Sequence, residues 1–479
     1  MPLILGANSA SGGYTVKNSL RFNSGSSDYL SRTPSVTGNI QKWTYSVWIK
    51  RSRLSAGSGE AHQLLSASPS GSGGVEQIFL TENNVLNYFY ADPSLRINLV
   101  SSAVFRDVSA WYHIVVAVDT TQATDTNRVK IYVNGSQITF STATYPAQNQ
   151  NTYINNTNLT SIGSQINNGS NNGNYFGGYQ SEVYFIDGQQ LTPSSFGQTD
   201  PSTPSSGIWV PKAYTGTYGT NGFYLKFANS ASLGTDSSGN GNTFTVNNLT
   251  SVYQSTDTPT NNFATLNPLV NNPSTAGTAS EGNLQYLTTN AGYFGSVSTM
   301  GVSQGKWYCE IKMTAKNTVQ VYMVGIDGDP NNSSYNNLYA GGVSTSYGYY
   351  ANDGNKWNNN SGTAYGSAYD VGDIISIAMD LDNNKLYFAK NGTWQNSGVP
   401  TSGATGTGAI SISATPASGL YFFAVGDAGS AHNVTMQCNF GNPPYSANSY
   451  TDGAGYGNFS YAVPSGYYAL CTKNLANFG

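Results

Sequence analysis

Apolar residues recur at every second position along most of this 479-residue chain, in short runs that end at Gly, Pro, Asn or Asp. Clear examples are "TYSVWIKR" at residues 44–51, "WYHIVVAVD" at 111–119 and "DIISIAMDLD" at 373–382. Successive side chains of a strand point to opposite faces of the sheet, so this period predicts strands that bury one face. No long run follows the 3.6-residue period of an amphipathic helix. We therefore predict an all-β protein.

Two of these runs have the same form although they lie in different halves of the chain. They are "KIYVNGSQI" at 130–138 and "KLYFAKNGTW" at 385–394. Each alternates, stops at Asn-Gly and restarts. Asn-Gly accepts positive φ at both central positions of a type I′ turn, whose twist matches that of paired strands. We predict two hairpins, in which Asn134 and Asn391 are structural and carry no chemistry.

Composition narrows the possible partners. Charged residues make up 9% of the chain, against roughly 25% in an ordinary soluble domain. Low charge and 54 glycines would suit disorder, but 13% aromatic residues predict packed cores. The net charge is −4 without a Lys/Arg cluster, so we expect no nucleic-acid partner. No apolar run reaches the roughly 18 residues that span a bilayer, so we expect no membrane insertion.

The three cysteines are widely spaced and predict neither a disulfide framework nor a zinc site. The start "MPLILGANSASGG" has no basic region, and its apolar stretch is too short for a signal peptide. The uncharged composition is nevertheless typical of an extracellular protein. A protein that is made in a bacterial cytoplasm and released by lysis, as virion parts are, satisfies both conditions. An unrecognised export route satisfies them too.

Two stretches rich in Pro, Ser, Thr and Asn, at 192–207 and 255–283, interrupt the strand pattern, and the longer one is the better domain boundary. We predict an N-terminal arm at 1–14, a first domain at 15–255, a linker at 256–283, a second domain at 284–445 and a C-terminal tail at 446–479. The tail is irregular and aromatic, so we expect it to pack on the second domain.

The first half resembles concanavalin A-like, laminin-G-type lectin domains over residues 15–250. The motifs that carry this resemblance, in order, are "SLRFNSGSSDYLSRTPS", "WTYSVWIKRS", "WYHIVVAVD", "NRVKIYVNGSQI" and "SEVYFIDGQQLTPSSF". The resemblance implies a two-sheet jelly roll, which is one way for a β-protein to protect its edge strands.

The second half resembles a SPRY domain over residues 284–445. "GKWYCEIKM", "VYMVGIDGD" and "YDVGDIISIAMDLDNNKLYFAKNGTW" carry this resemblance, which implies a second, more compact sandwich. Alternation alone places Ile375, Ile377, Met379 and Leu381 on one face. The predicted fold class is therefore all-β, with two tandem antiparallel β-sandwiches: a jelly roll and then a SPRY-like sandwich.

We predict that the chain is not an enzyme. Some concanavalin A-like proteins are glycanases, and glycoside hydrolysis needs two carboxyl groups about 5–10 Å apart. Asp380 and Asp382 are two positions apart, but the SPRY resemblance makes them the start of a hairpin turn. The three histidines are isolated, so the sequence shows neither a metal triad nor a Ser-His pair. Glycan degradation stays a less favoured alternative, because fold does not fix function.

One loop could hold calcium. "DSSGNG" at 236–241 places Asp236, Ser238 and Asn240 at alternate positions before a glycine. The bidentate Glu expected at the twelfth position is replaced by Asn247. We prefer an Asx turn here and predict no cofactor, with Ca²⁺ at these three residues as the alternative.

Two loops combine aromatic rings with amides and glycines, at 151–179 and 333–360. Flat rings stack on the apolar faces of sugars, amides bond to hydroxyls, and recognition loops favour Tyr, Ser, Gly and Asn. These rings could instead pack on the sandwich or on a neighbouring subunit. The candidate ligand-binding residues are Tyr335, Tyr339, Tyr347, Tyr349, Tyr350, Asn352, Trp357, Tyr153 and Tyr175.

These features together predict a structural surface protein of a tailed phage virion, such as a tail fibre, an appendage or a head decoration. Its lectin-like modules would recognise a host glycan or another host-surface component. We expect a location on the virion surface, other virion proteins as partners, and self-association, which gives avidity to weak glycan binding. A bacterial cell-surface adhesin is the alternative from another class, and a purely architectural role without a ligand also stays open.

Overall fold

A computed structural model describes residues 13–54, 57, 59–202, 207–270, 277–288, 294–317, 321–330, 339–427 and 433–479. Strands and turns dominate these ranges, and the nearly all-β fold confirms the predicted class. No helix among these residues is long and apolar enough to cross a bilayer. The chain divides into two compact units between Thr260 and Asn261. We call them the N-unit and the C-unit and describe each by itself.

The N-unit contains twenty strands. They are β1 (Ser19–Phe22), β2 (Tyr29–Arg32), β3 (Lys42–Arg51), β4 (His62–Ser68), β5 (Val75–Leu80), β6 (Val85–Asp92), β7 (Ser94–Val104), β8 (Trp111–Asp119), β9 (Val129–Val133), β10 (Ser136–Gln137), β11 (Phe140–Thr144), β12 (Leu159–Ile162), β13 (Ile166–Asn167), β14 (Ser170–Asn171), β15 (Gly178–Asp187), β16 (Gly197–Thr199), β17 (Trp209–Pro211), β18 (Phe223–Leu225), β19 (Thr245–Asn247) and β20 (Gln254–Ser255), counted over the described residues.

Two eight-stranded antiparallel sheets form the N-unit sandwich. One sheet has the order β10-β9-β8-β3-β15-β1-β20, with β18 also paired to β15, and the other has the order β11-β7-β6-β5-β4-β12-β2-β19. Their inner faces share one core, in which the ring centroids of Trp43 from β3 and Tyr88 from β6 are 6.0 Å apart. Burial of such apolar faces is the main stabilising contribution to the sandwich.

Strand β3 is buried on both faces. Tyr45 and Val47 point into the sandwich core, whereas Ser46 and Trp48 point to the opposite face and are also buried. A further layer that includes Phe196 covers this outer face. The polar outer positions of "TYSVWIKR" therefore lie against protein and not against water.

The C-unit contains fifteen strands and one α-helix among its described residues. They are β21 (Thr278–Ser280), β22 (Gln285–Leu287), β23 (Phe294–Val297), β24 (Lys306–Lys316), β25 (Tyr322–Asp327), β26 (Ser346–Tyr350), β27 (Asn355–Asn358), β28 (Ser361–Ala364), β29 (Ile374–Asp380), β30 (Lys385–Lys390), β31 (Thr393–Trp394), β32 (Ile410–Ser411), β33 (Phe422–Asp427), β34 (Val434–Asn439), β35 (Tyr468–Ala469) and α1 (Thr472–Phe478).

A nine-stranded and a six-stranded sheet form the C-unit sandwich. The first has the order β21-β22-β34-β24-β29-β30-β31, with β32 on β30 and β35 parallel to β24, and the second has the order β23-β33-β25-β26-β27-β28. Ile375, Ile377, Met379 and Leu381 all belong to the core between them, which confirms their predicted common face. The chain after β34 returns over the outer face of the larger sheet, where Tyr467 packs in one cluster with Tyr308 and Tyr387.

Residues 256–283, which the sequence predicts as a linker, are divided between the units. In the N-unit, the Asp257 carboxylate lies 2.8 Å from the buried Lys50 ammonium, and Val16 N–H donates to Thr260 Oγ1. In the C-unit, Ala264 N–H donates to the Leu470 carbonyl, and β21 extends the nine-stranded sheet. The polar composition that predicts a linker therefore supplies buried hydrogen bonds on both sides of the division.

Both Asn-Gly steps form the predicted turn. The φ angles are 48° and 83° at Asn134 and Gly135, and 48° and 79° at Asn391 and Gly392. Both central positions are positive, as a type I′ turn requires. Asn134 Oδ1 accepts the His113 N–H at 2.8 Å, and Asn391 Oδ1 accepts the N–H of the first residue of β29 at 2.9 Å. Each Asn side chain thus also joins the hairpin to the preceding strand.

The glycine of each turn lies under an aromatic ring from a later part of the chain. A Cβ at Gly135 would be 2.6 Å from Trp209 Cε3, and a Cβ at Gly392 would be 2.7 Å from Tyr461 Cδ1. No side chain of an L-residue fits there without displacing the ring. Each turn therefore needs its glycine for two reasons: the positive φ angle and the close approach of the ring.

Substitution of Gly135 should separate these two requirements. Gly188 has a φ of 85° and nothing within 4 Å of an added Cβ, so it is a matched control for Gly135. We expect about 1–2 kcal/mol of destabilisation in both alanine variants from the left-handed backbone. Gly135→Ala should lose about 1–3 kcal/mol more, because the new methyl group overpacks the Trp209 site. Urea denaturation of both variants measures the difference, and equal losses would contradict the ring contact.

Candidate functional site

The two candidate residues of the N-unit are both half-buried. The Tyr153 ring meets the Tyr90 ring edge-on, with centroids 4.9 Å apart. The Tyr175 hydroxyl donates to Asn171 Oδ1 at 3.1 Å. Both rings therefore have structural contacts, and each keeps part of its surface in solvent.

A buried carboxylate fixes the backbone at Tyr153. Glu76 Oε2 accepts the N–H groups of Tyr153 at 2.5 Å and Ile154 at 2.9 Å, and Tyr88 donates its hydroxyl to Oε1 at 2.5 Å. Complete burial raises the pKa of Glu76 to about 7, although these three hydrogen bonds oppose the shift. The backbone of the loop at Tyr153 and Ile154 is thus bound by the Glu76 carboxyl group, whose pKa is near neutral.

The C-unit loop is largely part of the sandwich, and Tyr335 lies outside the described residues. Tyr339, Tyr347 and Tyr349 are 3%, 8% and 0% exposed. The Tyr349 ring stacks on Phe388 with centroids 5.3 Å apart. The prediction that these three tyrosines contact a ligand is therefore wrong. "SYGYY" is strand β26, and its alternation turns Tyr347 and Tyr349 into the core.

Three candidates of this loop reach solvent. Asn352 is exposed, and Tyr350 and Trp357 are half-buried and meet edge-on with centroids 5.8 Å apart. The Trp357 indole nitrogen is buried without a hydrogen-bond partner among the described residues. A Cβ on Gly362 would touch the same indole at 2.9 Å. Trp357 is therefore mainly a packing residue, which leaves Asn352 and Tyr350 as the accessible pair.

The C-unit contains a cavity of about 450 Å³ on the outer face of its nine-stranded sheet, which we call the tail cavity. Its floor is formed by Tyr308, Ser376 and Ala389, from the adjacent strands β24, β29 and β30. Its walls come from the Asn-Gly hairpin and from the chain after β34. The wall residues are Gly392, Trp394, Asn448, Tyr450, Ser460, Tyr461 and Ala462.

The tail cavity presents rings and uncharged polar groups. Tyr450 is 48% exposed, and Trp394 and Tyr461 are half-buried. The Asn448 amide nitrogen donates to the Ser460 carbonyl at 2.8 Å, so the amide oxygen is the part of this side chain without a partner among the described residues. None of the lining residues that the structure describes carries a formal charge.

Glu310 holds the wall of the tail cavity against its floor. The buried carboxylate accepts the N–H groups of Ser460 and Tyr461 at 2.8 Å each, the Tyr308 hydroxyl at 3.1 Å and the Asn439 amide at 3.1 Å. Burial raises the pKa of Glu310. Alternation in "KWYCEIKM" puts Tyr308 and Glu310 on one face, which is the only sequence signal for this site. The wall segment it binds lies about 150 positions away.

The floor of the tail cavity supplies hydroxyl groups. The Tyr308 hydroxyl lies 2.9 Å from Ser376 Oγ, but burial raises the pKa of Tyr308, so the phenol stays protonated at neutral pH. The Ser460 and Tyr461 N–H groups, which could otherwise stabilise an oxyanion, are bound to Glu310. The floor hydroxyls are buried, so the parts of the cavity that a ligand can reach are the Asn448 amide and the wall rings.

The structure reveals a Ser-His contact that the sequence did not predict. Ser46 Oγ lies 2.9 Å from His113 Nε2, and Trp209 Nε1 donates to His113 Nδ1 at 2.9 Å. Nδ1 is therefore an acceptor and Nε2 carries the proton, so His113 donates to Ser46 and cannot take its proton. Burial lowers the pKa of His113 to about 3. The contact orients the outer layer of the N-unit.

The residues of the candidate calcium loop are engaged with the protein. Asp236 Oδ1 accepts two backbone N–H groups, and Oδ2 accepts the Ser238 hydroxyl and the Asn242 N–H, all at 2.8–2.9 Å. The Asn240 amide nitrogen donates to the Gly219 and Gly222 carbonyls. This donor set fits an Asx turn. No group of three His, Cys, Asp or Glu side chains within the described ranges could hold a metal ion.

Comparison with protein families finds both predicted domains in the predicted order. Residues 24–195 match the family described as "Concanavalin A-like lectin/glucanases superfamily". Residues 306–422 match the family described as "SPRY domain". The second match includes the Asn-Gly hairpin and the floor of the tail cavity, and it ends before Asn448 and the other wall residues that follow β34.

The chain is 30% identical over 89 residues to Ran-binding protein 9 of Danio rerio and of Homo sapiens. That segment is 18% of this chain and 14% and 12% of the two relatives, so the chain spans about a seventh of the length of the curated relatives it matches. Among solved structures, the SPRY domain of human HERC1 is 15% identical, with 36% of this chain and 96% of that chain covered and a TM-score of 0.29. A heptameric SAP-like pentraxin from Limulus polyphemus is 14% identical, with 38% and 80% covered and a TM-score of 0.28.

Glu76 should make the stability of the N-unit depend on pH. Its folded-state pKa of about 7 exceeds its ordinary value of 4.5, so the folded state binds more protons than the unfolded state between these values. Stability should therefore fall as pH rises through this window, by about 3 kcal/mol relative to Glu76→Gln. Urea denaturation of both proteins at pH 4.5 and pH 8, followed by hydrogen exchange of N-unit peptides, measures this. Parallel pH profiles would show that Glu76 is not responsible.

Truncation of Tyr349 should destabilise the C-unit strongly, whereas truncation of Tyr450 should have little effect on its stability. Tyr349→Ala should lower the free energy of unfolding by about 3–5 kcal/mol, because it removes a fully buried ring. Tyr450→Ala should change it by about 0.5 kcal/mol or less, since that side chain is half exposed. Urea denaturation monitored by hydrogen exchange of C-unit peptides tests both variants. A neutral Tyr349→Ala variant would reopen this residue as a surface candidate.

Proposed function

We propose that this chain, in which a concanavalin A-like region precedes a SPRY domain, is a structural surface protein of a tailed phage virion. It serves as a tail fibre, appendage or head decoration and recognises a glycan on the host surface. Both domains belong to families of binding modules, which supports recognition as the function. The location on a virion is proposed from the sequence.

The observation that carries the glycan part of this proposal is the tail cavity. It combines exposed ring surface from Trp394 and Tyr450 with an exposed amide at Asn448. A sugar presents apolar C–H faces and hydroxyl edges, so rings and uncharged polar groups complement both parts of it. The exposed Asn352 and the half-buried Tyr350 provide a second contact surface of the same chemistry.

The low charge of the chain supports a role outside the cell. Only 9% of its residues are charged, and two of these, Lys50 and Asp257, are paired in the interior. Recognition that rests on rings, amides and hydroxyls is little affected by screening, so it works across a wide range of salt concentrations. A particle that meets its host in an open environment benefits from this property.

We propose that the protein binds its glycan without cleaving it. In the tail cavity the phenol of Tyr308 is protonated, and the Glu310 carboxylate accepts four hydrogen-bond donors from the protein. A glycosidase needs a second carboxyl group across the scissile bond. Weak binding at a single cavity becomes effective when several copies act together, so we also propose that the protein is displayed in multiple copies on the particle.

Competition for the host surface tests this function. Purified protein should coat host cells and reduce adsorption of particles that carry the chain by at least tenfold at saturation. The double variant Trp394→Ala/Tyr450→Ala should lose this effect. The control Val371→Ala/Val399→Ala removes two exposed apolar side chains of the same unit outside the cavity and should retain it.

Electron microscopy with antibody to this chain tests the location, and label on the head or tail of the particle is the expected result. Label on the bacterial surface in cells without phage would identify an adhesin instead. Release of reducing ends from host polysaccharide by the purified protein would contradict binding without cleavage.

A further inference from the structure

We propose that the tail cavity binds one uncharged sugar ring and discriminates against sugars that carry a carboxylate. This inference rests on the proposed glycan function and names the class of ligand. The observation behind it is the composition of the cavity: rings and one amide surround about 450 Å³, and no charged side chain of the described residues lines it.

A carboxylate in this cavity would lose water without gaining a counter-charge. Burial of an unpaired ion is strongly unfavourable. The charged groups closest in sequence to the lining residues are already engaged. Lys390, which follows the floor residue Ala389, lies 3.1 Å from the Asp373 carboxylate and donates to the Ala368 carbonyl. Beneath the floor, Glu310 would repel an anion whenever it is ionised.

An uncharged sugar ring finds partners for both of its surfaces. Its C–H face can lie on Trp394 or Tyr450, the wall rings with exposed area. Its hydroxyls can donate to the amide oxygen of the exposed Asn448. This contact replaces a hydrogen bond to water by one to protein, so the hydroxyl that makes it stays paired.

The walls are fixed before the ligand arrives. Glu310 binds two consecutive backbone N–H groups at Ser460 and Tyr461, and Asn448 binds the carbonyl of Ser460. The Tyr461 ring rests on Gly392, where a Cβ would be 2.7 Å away. Such preorganisation reduces the ordering entropy lost on binding. Small shifts of the Tyr461 ring should therefore change affinity directly.

A printed panel that pairs neutral oligosaccharides with their sialylated or uronic-acid counterparts tests this inference on the full-length chain. We expect binding to neutral members, at least tenfold weaker binding to each acidic counterpart, and the same ranking at 0.1 M and 0.5 M NaCl. Trp394→Ala/Tyr450→Ala should abolish the neutral signal, and Val371→Ala/Val399→Ala should keep it.

A second pair of variants tests the cavity wall. Gly392→Ala should weaken neutral binding at least tenfold by displacing the Tyr461 ring. Gly372→Ala should not, because Gly372 has a comparable φ of 95° but nothing within 4 Å of its added Cβ. Hydrogen exchange of both proteins shows whether each variant is folded. If both glycine variants bind like the wild type, the cavity is not the site.

The other outcomes separate this inference from the function it rests on. Equal or stronger binding of acidic members would falsify the charge discrimination and leave glycan recognition standing. If the Trp394→Ala/Tyr450→Ala variant still binds neutral oligosaccharides, the binding site lies outside the tail cavity, and the proposed glycan recognition still stands. If no oligosaccharide of the panel binds, both the charge discrimination and the proposed glycan recognition are contradicted.

Discussion

The contact between a turn glycine and an aromatic ring is the constraint on which both units depend. Each Asn-Gly turn closes a hairpin, β9–β10 in the N-unit and β30–β31 in the C-unit. The ring that covers the glycine belongs to a later segment that forms an outer layer, Trp209 in one unit and Tyr461 in the other. Positive φ fixes the turn, and the missing Cβ lets the layer approach it. The hairpin and the layer are therefore specified by the same residue, and the layer carries the site in the C-unit.

Local pattern predicts the strands and the cores, because alternation is a property of neighbouring residues and burial follows from it. The face formed by Ile375, Ile377 and Met379 is an example. Alternation cannot predict a third layer, because it reports one buried face and treats the other as solvent. Ser46 looks like a surface residue in the sequence, yet it is buried under a layer from more than 100 positions later in the chain. For the same reason, the Ser46–His113 contact could not be predicted from the sequence.

The candidate site also could not be predicted from local sequence pattern. The many tyrosines in "SYGYY" suggest a recognition loop. The same run also alternates, and in the structure it forms a strand that buries Tyr349 in the core. The rings of the tail cavity come from segments that are far apart in sequence, with Trp394 after the hairpin and Tyr450 in the final part of the chain. The hydrogen bonds of Glu310 to Ser460 and Tyr461, together with the contact of the Tyr461 ring with Gly392, bring these segments together. Alternation places Glu310 on the same face as Tyr308, but it does not predict a partner about 150 positions away.

Buried glutamates connect the composition to the function. Glu76 fixes the N–H groups of Tyr153 and Ile154, and Glu310 fixes those of Ser460 and Tyr461. In each case a carboxylate inside the protein binds a loop by its backbone, and one ring of that loop, Tyr153 or Tyr461, stays partly exposed. Burial raises the pKa of both groups, so each is bound at some cost in stability near neutral pH. That cost is offset where a rigid loop lowers the entropy lost on binding. A chain with so few charges thus uses two of its carboxylates inside the protein to order the uncharged rings and amides at its surface.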